Sequence, residues 1–456
     1  MTLAVSAVAG AVLAHGIGGR QDLPIPFGHA LVGAAAALLV SFAVLAFAWR
    51  RPRYDAVSAG VPLPWPVHAA VSSRWWTWLG QGLGLALTAY ALIGALLGPD
   101  LATNPTAGVV YVLFWIGLVP VSVLFGPVWR WLNPLRTLHA LGARALRADP
   151  DRGLLDYPER LGHWPAAVVL LAFTWLELVA PDNVTLPVIR AWFAGYLALT
   201  LVGAAVYGSR WFERADAFEV YSTLLGRLSP VGRRGDGRLV LRSPLAGLDG
   251  VSPLPGLVAV VCVLLGSTAY DSFSSAPVWG RLVQGGALPE TLAGTLGLVG
   301  MVALVAATYA AAAALAGGVA DGVPGGGADV RRTALPGRFA HSLVPIVVGY
   351  LVAHYFTLLV LEGQRTLIYL SDPLSSGADW LDIAGRGVDQ TLATMPALVA
   401  SVQVLAVVTG HILGVIAAPD RSVRLFPGPS AVLAQLPLLN VMVGYTVGGL
   451  LLLFAA

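Results

Sequence analysis

His354 and Asp271 are the two residues whose types and settings most clearly point to chemistry. The run Arg338–Gln364, RFAHSLVPIVVGYLVAHYFTLLVLEGQ, is long enough to cross a bilayer and carries His354 and Tyr355 inside it, with Glu362 and Gln364 at its far end. Hydrocarbon penalises such side chains, so they persist mainly where they face a protein interior, a water-filled pocket or a site. A second apolar run ends in GSTAYDSFSS, where Ser267, Asp271 and Ser274 fall at i, i+4 and i+7 on one helical face. An imidazole and a carboxylate brought together form a general acid–base pair or two ligands of a divalent metal. His354, Asp271 and Glu362 are therefore the candidate catalytic residues.

A further metal site is readable at the N-terminus. Met1–Ala14 (MTLAVSAVAGAVLA) has the apolar stretch and small-residue ending of a signal peptide, although the charged start is missing. Cleavage after Ala14 leaves His15 at the N-terminus, where its amine and ring nitrogen can chelate zinc or copper, with His29 as a further donor. The candidate metal ligands are thus His15, His29, His354 and Asp271. His341 lies 13 residues before His354 and points to another face, so the two do not share an ion.

Each of these residues also has a plainer role. Asp271 fits a helix end bonded to its own loop. His354 fits a neutral imidazole bonded to a neighbouring helix, worth about 1 kcal/mol. HGIGG fits a flexible lead-in. Glu177, in TWLELVAPDN, reads either as a buried acid or, at that depth, as a carboxylate snorkelling to water. Gln403, His411, Gln435, Asn440 and Tyr445 read as interhelical hydrogen bonders. No phosphate-binding glycine loop, His-Glu-x-x-His, haem motif or Gly-x-Ser-x-Gly elbow is present. With no activated Ser or Cys visible, metal-activated water is the expected nucleophile of any hydrolysis. Cys262 is the only cysteine, which excludes an intramolecular disulfide and a cysteine metal cluster.

The elements that must position these groups are membrane helices. Of 456 residues, 57% are hydrophobic and 11% charged, and the mean hydropathy is +0.76, far from a soluble domain's quarter charged. Ten apolar windows of spanning length fall at about 27–49, 76–98, 107–128, 164–180, 187–208, 254–271, 291–316, 340–362, 395–418 and 430–455. The expected fold is an all-α, polytopic transmembrane bundle, with residues 15–456 as one domain. All 27 basic residues are arginine, a composition suggesting a GC-rich bacterial genome and hence a bacterial cytoplasmic (inner) membrane. Taking loops 50–74, 129–163, 209–253, 317–339 and 419–429 as cytoplasmic places 22 arginines on that side, so both termini are expected outside. This orientation puts Asp271 and Glu362 at the outer side, with His354 in the outer half of its helix, nine residues before an outer loop starting at Gly363. Trp131–Ala148 and Phe218–Leu228 read as helices lying along the inner surface. Arg238–Ala246 reads as a short hairpin, and 317–327 as a flexible connector. The arginines track loops and no basic–aromatic groove accompanies them, so the partner is the lipid bilayer and not nucleic acid.

The segments AHGIGGRQDLPIP, FEVYSTLLGRLSP, LGSTAYDSF, VAHYFTLLVLEGQ and GHILGV resemble a family of bacterial polytopic membrane proteins labelled fenitrothion hydrolase. The resemblance is spread along most of the chain. It implies a membrane-bound hydrolase that splits the aryl phosphoester of an organophosphate, with a small-molecule substrate on the outer side. The competing expectation is a small-molecule transporter or a non-catalytic subunit of a membrane complex.

Overall fold

A backbone in hydrocarbon has no water to bond with and must satisfy its own N–H and C=O groups, which a helix does locally. The computed structural model describes residues 20–286, 288–323, 331–426 and 430–454. The expected signal segment Met1–Ala14, His15 and residues 324–327 of the connector lie outside the described residues. Ten described helices are long and apolar enough to span: α1 (Phe27–Ala48), α2 (Arg74–Leu97), α3 (Thr106–Phe125), α4 (Trp164–Leu178), α5 (Leu186–Tyr207), α6 (Leu257–Ser274), α7 (Glu290–Asp321), α8 (Val344–Leu370), α9 (Pro396–Leu425) and α10 (Leu436–Leu453). The chain is an all-α, multi-pass membrane bundle.

Burial sorts these helices into centre and rim. About 72% of the apolar window is buried in α6 and in the span containing α8, against 17% in α2. Trp75, Leu79, Leu87 and Leu97 of α2 are all more than half exposed, as lipid-facing residues are in a bilayer. The two helices that carry Asp271 and His354 are thus the two most enclosed.

Glycines set the contact between α8 and α9. A Cβ on Gly410 of α9 would stand 2.5 Å from the Pro345 carbonyl oxygen and 3.1 Å from Gly349 Cα of α8; one on Gly414 would stand 2.7 Å from the Ser342 oxygen. The small-xxx-small spacing of Gly410 and Gly414 lets the α8 and α9 backbones touch. Across α3, residues Val109–Ile116 are underwound into wider π turns, closed by Gly117 N–H donating to Val112 O at 2.9 Å. Such turns often accompany functional sites; here they carry Tyr111 and Trp115, both buried.

Three expectations are corrected. First, α8 runs on past Gly363 to Leu370, so no loop begins there, and His354 is the eleventh of its 27 residues. Second, α7 reaches Asp321 and α9 continues through Pro419 to Leu425, which shortens the loops expected at 317–339 and 419–429. Third, the segment expected on the inner surface enters the bundle: in the helix Ala217–Leu225 every residue but Thr223 is buried. Phe218 packs edge-on against Phe173, and Tyr221 stacks on Trp115 with ring centres 4.6 Å apart. By contrast the helix Pro134–Ala145 keeps Leu138 and Leu141 about half exposed, as a surface-lying helix does. The hairpin exists but starts earlier. Strand β2 (Val231–Arg233) pairs antiparallel with β3 (Leu239–Leu241), and β1 (Val61–Pro62) adds to the other edge of β3. Gly237, at φ +81°, makes the turn.

What holds the buried Ala217–Leu225 helix is a polar knot. Asp216 caps it, accepting from Phe218 N–H at 3.0 Å and Glu219 N–H at 3.2 Å. Asp216 also accepts from Tyr196 Oη at 2.8 Å and Asn133 Nδ2 at 2.9 Å. Arg136 binds the Glu219 carboxylate through two nitrogens, at 3.0 and 2.5 Å. Burial, and then the neighbouring Glu219 charge, push the Asp216 carboxyl up to about 6.

An acid whose folded pKa lies above its unfolded value of 3.8 stabilises the fold most when protonated, and that contribution fades as pH rises from about 4 to about 6. The loss amounts to roughly 3 kcal/mol across the window. We expect Asp216→Asn to flatten this pH dependence in thermal unfolding of the detergent-solubilised protein; an unchanged pH profile would refute the assignment. We further expect Gly410→Val to push α8 from α9 and lower stability by about 1–3 kcal/mol. Chemical unfolding reads this, and a wild-type midpoint would show that the contact is not tight.

Candidate functional site

α6 and α8 cross near the middle of α8, and each presents a polar face to the other. On α6, Thr268 and Ser272 are one helical turn apart, with Asp271 beside Ser272. On α8, Tyr350 and His354 are one turn apart, with Tyr355 beside His354. All six are buried, Asp271 at 8% exposed being the most open and His354 at 7% the next.

The contacts form one continuous chain. His354 Nε2 lies 2.8 Å from Asp271 Oδ2. Tyr355 Oη donates to the same carboxylate oxygen at 2.8 Å. On the other side of the imidazole, Nδ1 lies 3.1 Å from Ser272 Oγ, and Ser272 Oγ lies 3.0 Å from Tyr350 Oη. A single proton arrangement satisfies every link. A carboxylate only accepts, so the ring proton sits on Nε2, Nδ1 accepts from the serine hydroxyl, and Tyr350 donates to the serine oxygen.

Glu177 extends the cluster from α4. Its Oε2 is buried without a hydrogen-bond partner, and it lies close enough to Asp271 for their charges to interact, with Trp115 bonding its side chain. The expectation that Glu177 reaches out to water is therefore overturned. The residue is half-buried with Oε2 turned inward, and Asn183 Nδ2 donates to its carbonyl at 2.5 Å in the turn that follows α4.

The structure thus brings His354 and Asp271 together and leaves Glu362 and His29 apart from them, His15 lying outside the described residues. Glu362 stands eight residues past His354, about 12 Å along α8, and is bound by Arg365 Nη1 at 2.5 and 2.7 Å. It is a surface-facing ion pair and not a member of the cluster. His29 is exposed at the start of α1. His341 bonds the carbonyls of Arg338 and Ala417 at 3.1 and 3.4 Å, a packing role. Ser274 turns back onto its own helix, 2.8 Å from Asp271 O.

Of the named metal candidates the structure brings together Asp271 and His354. Among the described residues no three His, Cys, Asp or Glu side chains gather as ligands. Asp271 and His354 spend on each other the oxygen and nitrogen that an ion would need.

One member, Ser272, is not among the candidates that the sequence offers, and Tyr355 stands there only as a polar residue inside the span. Ser272 is inconspicuous because a serine in a helix costs little, its hydroxyl having the carbonyl one turn back as an alternative acceptor, here Thr268 O at 3.3 Å against Nδ1 at 3.1 Å. The signal that finds it is its place: one residue after a buried acid, at the depth of a buried histidine. Tyr355, adjacent to His354, is readable only once the helix's rotation is known.

No family model, curated protein or solved structure matches this chain.

Proposed function

We propose that the protein is a membrane-embedded hydrolase that uses Ser272 as nucleophile, His354 as general base and Asp271 to hold and charge-balance the imidazole, acting on neutral aryl phosphoesters. The observation that carries this reading is the contact order Ser272 Oγ–Nδ1 His354 Nε2–Oδ2 Asp271. It is the order in which a hydroxyl, an imidazole and a carboxylate activate a serine. The two ring nitrogens exchange places relative to the usual serine hydrolase arrangement, which leaves the proton bookkeeping intact. The resemblance to fenitrothion hydrolases supports the substrate class, and the serine takes the place of the metal-bound water expected from sequence.

In this mechanism Ser272 Oγ attacks phosphorus while its proton passes to His354 Nδ1. The bond from phosphorus to the aryl oxygen breaks, and the leaving oxygen takes that proton from Nδ1 and departs as the phenol, which returns Nδ1 to its basic form. Asp271 stabilises the imidazolium through Nε2–H, and Tyr355 keeps the Asp271 oxygen in line. Tyr350 Oη, 3.0 Å from the nucleophile, is positioned to donate to the oxygen on phosphorus that gains charge. Water then attacks the phosphoryl-serine, giving its proton to Nδ1, and Ser272 Oγ leaves and takes a proton back.

Ser272→Ala is expected to lower kcat on diethyl 4-nitrophenyl phosphate by on the order of 10⁴-fold or more, with His354→Ala close behind and both variants inserted and folded. A fluorophosphonate probe should label Ser272 in the wild type and fail to label it in His354→Ala, read by peptide mass spectrometry. Full turnover in Ser272→Ala, or labelling of a different residue, sinks the assignment.

A second reading rests on one observation: Glu177 and Asp271 are two interacting carboxylates buried inside a membrane bundle, the kind of site that binds and releases protons in carriers. In liposomes enclosing a pH-sensitive dye, a carrier would dissipate an imposed pH gradient and Glu177→Gln would stop it. A hydrolase would leave the gradient standing.

A further inference from the structure

A cleft of about 430 Å³ lies beside the cluster, walled by α7 and α10 and floored by α6, α8 and α9. Its volume falls in the range of small-molecule sites. It is framed along α10 by residues 440 to 452, a length of about 18 Å. Its wall residues Leu304, Asn440 and Gly444 are exposed on the lipid-facing side of the bundle, while the floor residues Ile346, Tyr350 and His411 are buried. The cleft therefore opens sideways, toward the bilayer, and deepens toward the bundle centre.

Its lining holds no charged side chain. Thr308 and Tyr445 bond each other at 2.7 Å and so turn their hydroxyls away from any need of water. Asn440 at the edge and His411 in the floor, whose Nε2 is buried without a hydrogen-bond partner, are the polar side chains left to meet an occupant. This lining suits a neutral, largely apolar molecule carrying a hydrogen-bond acceptor.

The cleft also leads somewhere. Leu265 and Ala269 of its floor lie on the α6 face that carries Ser272 one turn further on. Tyr350 belongs both to the floor and to the relay, its hydroxyl 3.0 Å from Ser272 Oγ. Ser272 itself is only 3% exposed, so the Tyr350 ring is what separates it from the cleft. Gly449 gives that ring its space: a Cβ there would come within 3.2 Å of Tyr350 Cε2.

We infer that this lateral cleft is the binding site and entrance for a neutral lipophilic ester arriving from the bilayer, with Tyr350 as the gate between it and Ser272. The choice of an ester rests on the hydrolase reading. The site itself rests on the cleft, its uncharged lining and its single polar exit.

Gly444 and Gly448 make the inference testable. A Cβ at either position meets nothing within 4 Å, so a larger side chain fills the cleft without displacing a neighbour. Equilibrium binding of radiolabelled diethyl 4-nitrophenyl phosphate is measured on the full chain in phosphatidylcholine nanodiscs, in the Ser272→Ala background so that no turnover intervenes. Saturable binding is expected, weakened at least 10-fold by Gly444→Leu and by Gly448→Leu. Gly195→Leu should leave it unchanged, since Gly195 is exposed on α5 with equally open surroundings. Binding that survives both cleft variants, or that is absent throughout, overturns the inference. The two readings fail separately. Cleft-dependent binding without wild-type turnover removes the hydrolase and keeps the site, whereas wild-type turnover undiminished by either leucine removes the site and keeps the hydrolase.

Discussion

The carboxylate of Asp271 is the constraint on which the rest depends. Placed between helices in a bundle whose outer surface is lipid, it has to be answered by donors or carry a large desolvation cost. His354 Nε2–H and Tyr355 O–H, both at 2.8 Å, answer it from one helix. Satisfying the acid fixes the imidazole tautomer, and the tautomer turns Nδ1 into an acceptor for the Ser272 hydroxyl. The polarity of the whole relay follows from that one buried charge.

Such a relay needs its two helices held in rotation and height to within a few tenths of an ångström. The α8–α9 contact does this by removing side chains where the backbones meet, at Gly349 and Gly410, so that α8 cannot roll without a backbone collision. From the other side, the helix Ala217–Leu225 inserts Phe218 and Tyr221 against Phe173 and Trp115, filling the space beside Glu177. That helix is in turn tied down by Asp216, Glu219, Arg136 and Asn133. The two buried acids of the knot and the two of the site are solved differently. Glu219 is matched by an arginine, whereas Asp271 is met by His354 and Tyr355, groups that can themselves gain or lose a proton. The first solution locks a structure; the second leaves room for proton transfer.

The spans were legible because a bilayer imposes length and composition directly on the sequence. Their ends were not. Glu362 and Arg365 looked like the start of a loop, yet they pair within one turn and let α8 continue to Leu370. The same misjudged end set His354 too close to one surface. The buried helix Ala217–Leu225 was read as a surface helix because nine residues are too few to register as a span, and its two acids look solvent-bound until Arg136 and Asn133 are brought to them. Asp271 and His354 stood out because charge in apolar sequence is conspicuous. Ser272 stayed hidden because nothing in its own neighbourhood marks it.

This difference in visibility has a physical basis that bears on the site. Groups that are costly to bury announce themselves, and here they supply the base and its support. The nucleophile needs no such cost, since a hydroxyl bonds its own helix until the imidazole takes its proton. The gate is equally quiet: Tyr350 is a buried aromatic like many others, distinguished only by touching both the relay and an uncharged cleft. A membrane site for neutral molecules is bound to be built this way, with few ionisable groups kept away from the lipid side and the approach lined by side chains that resemble ordinary packing. The polar residues that a sequence displays therefore locate the centre of such a site, and only the packing around them locates its door.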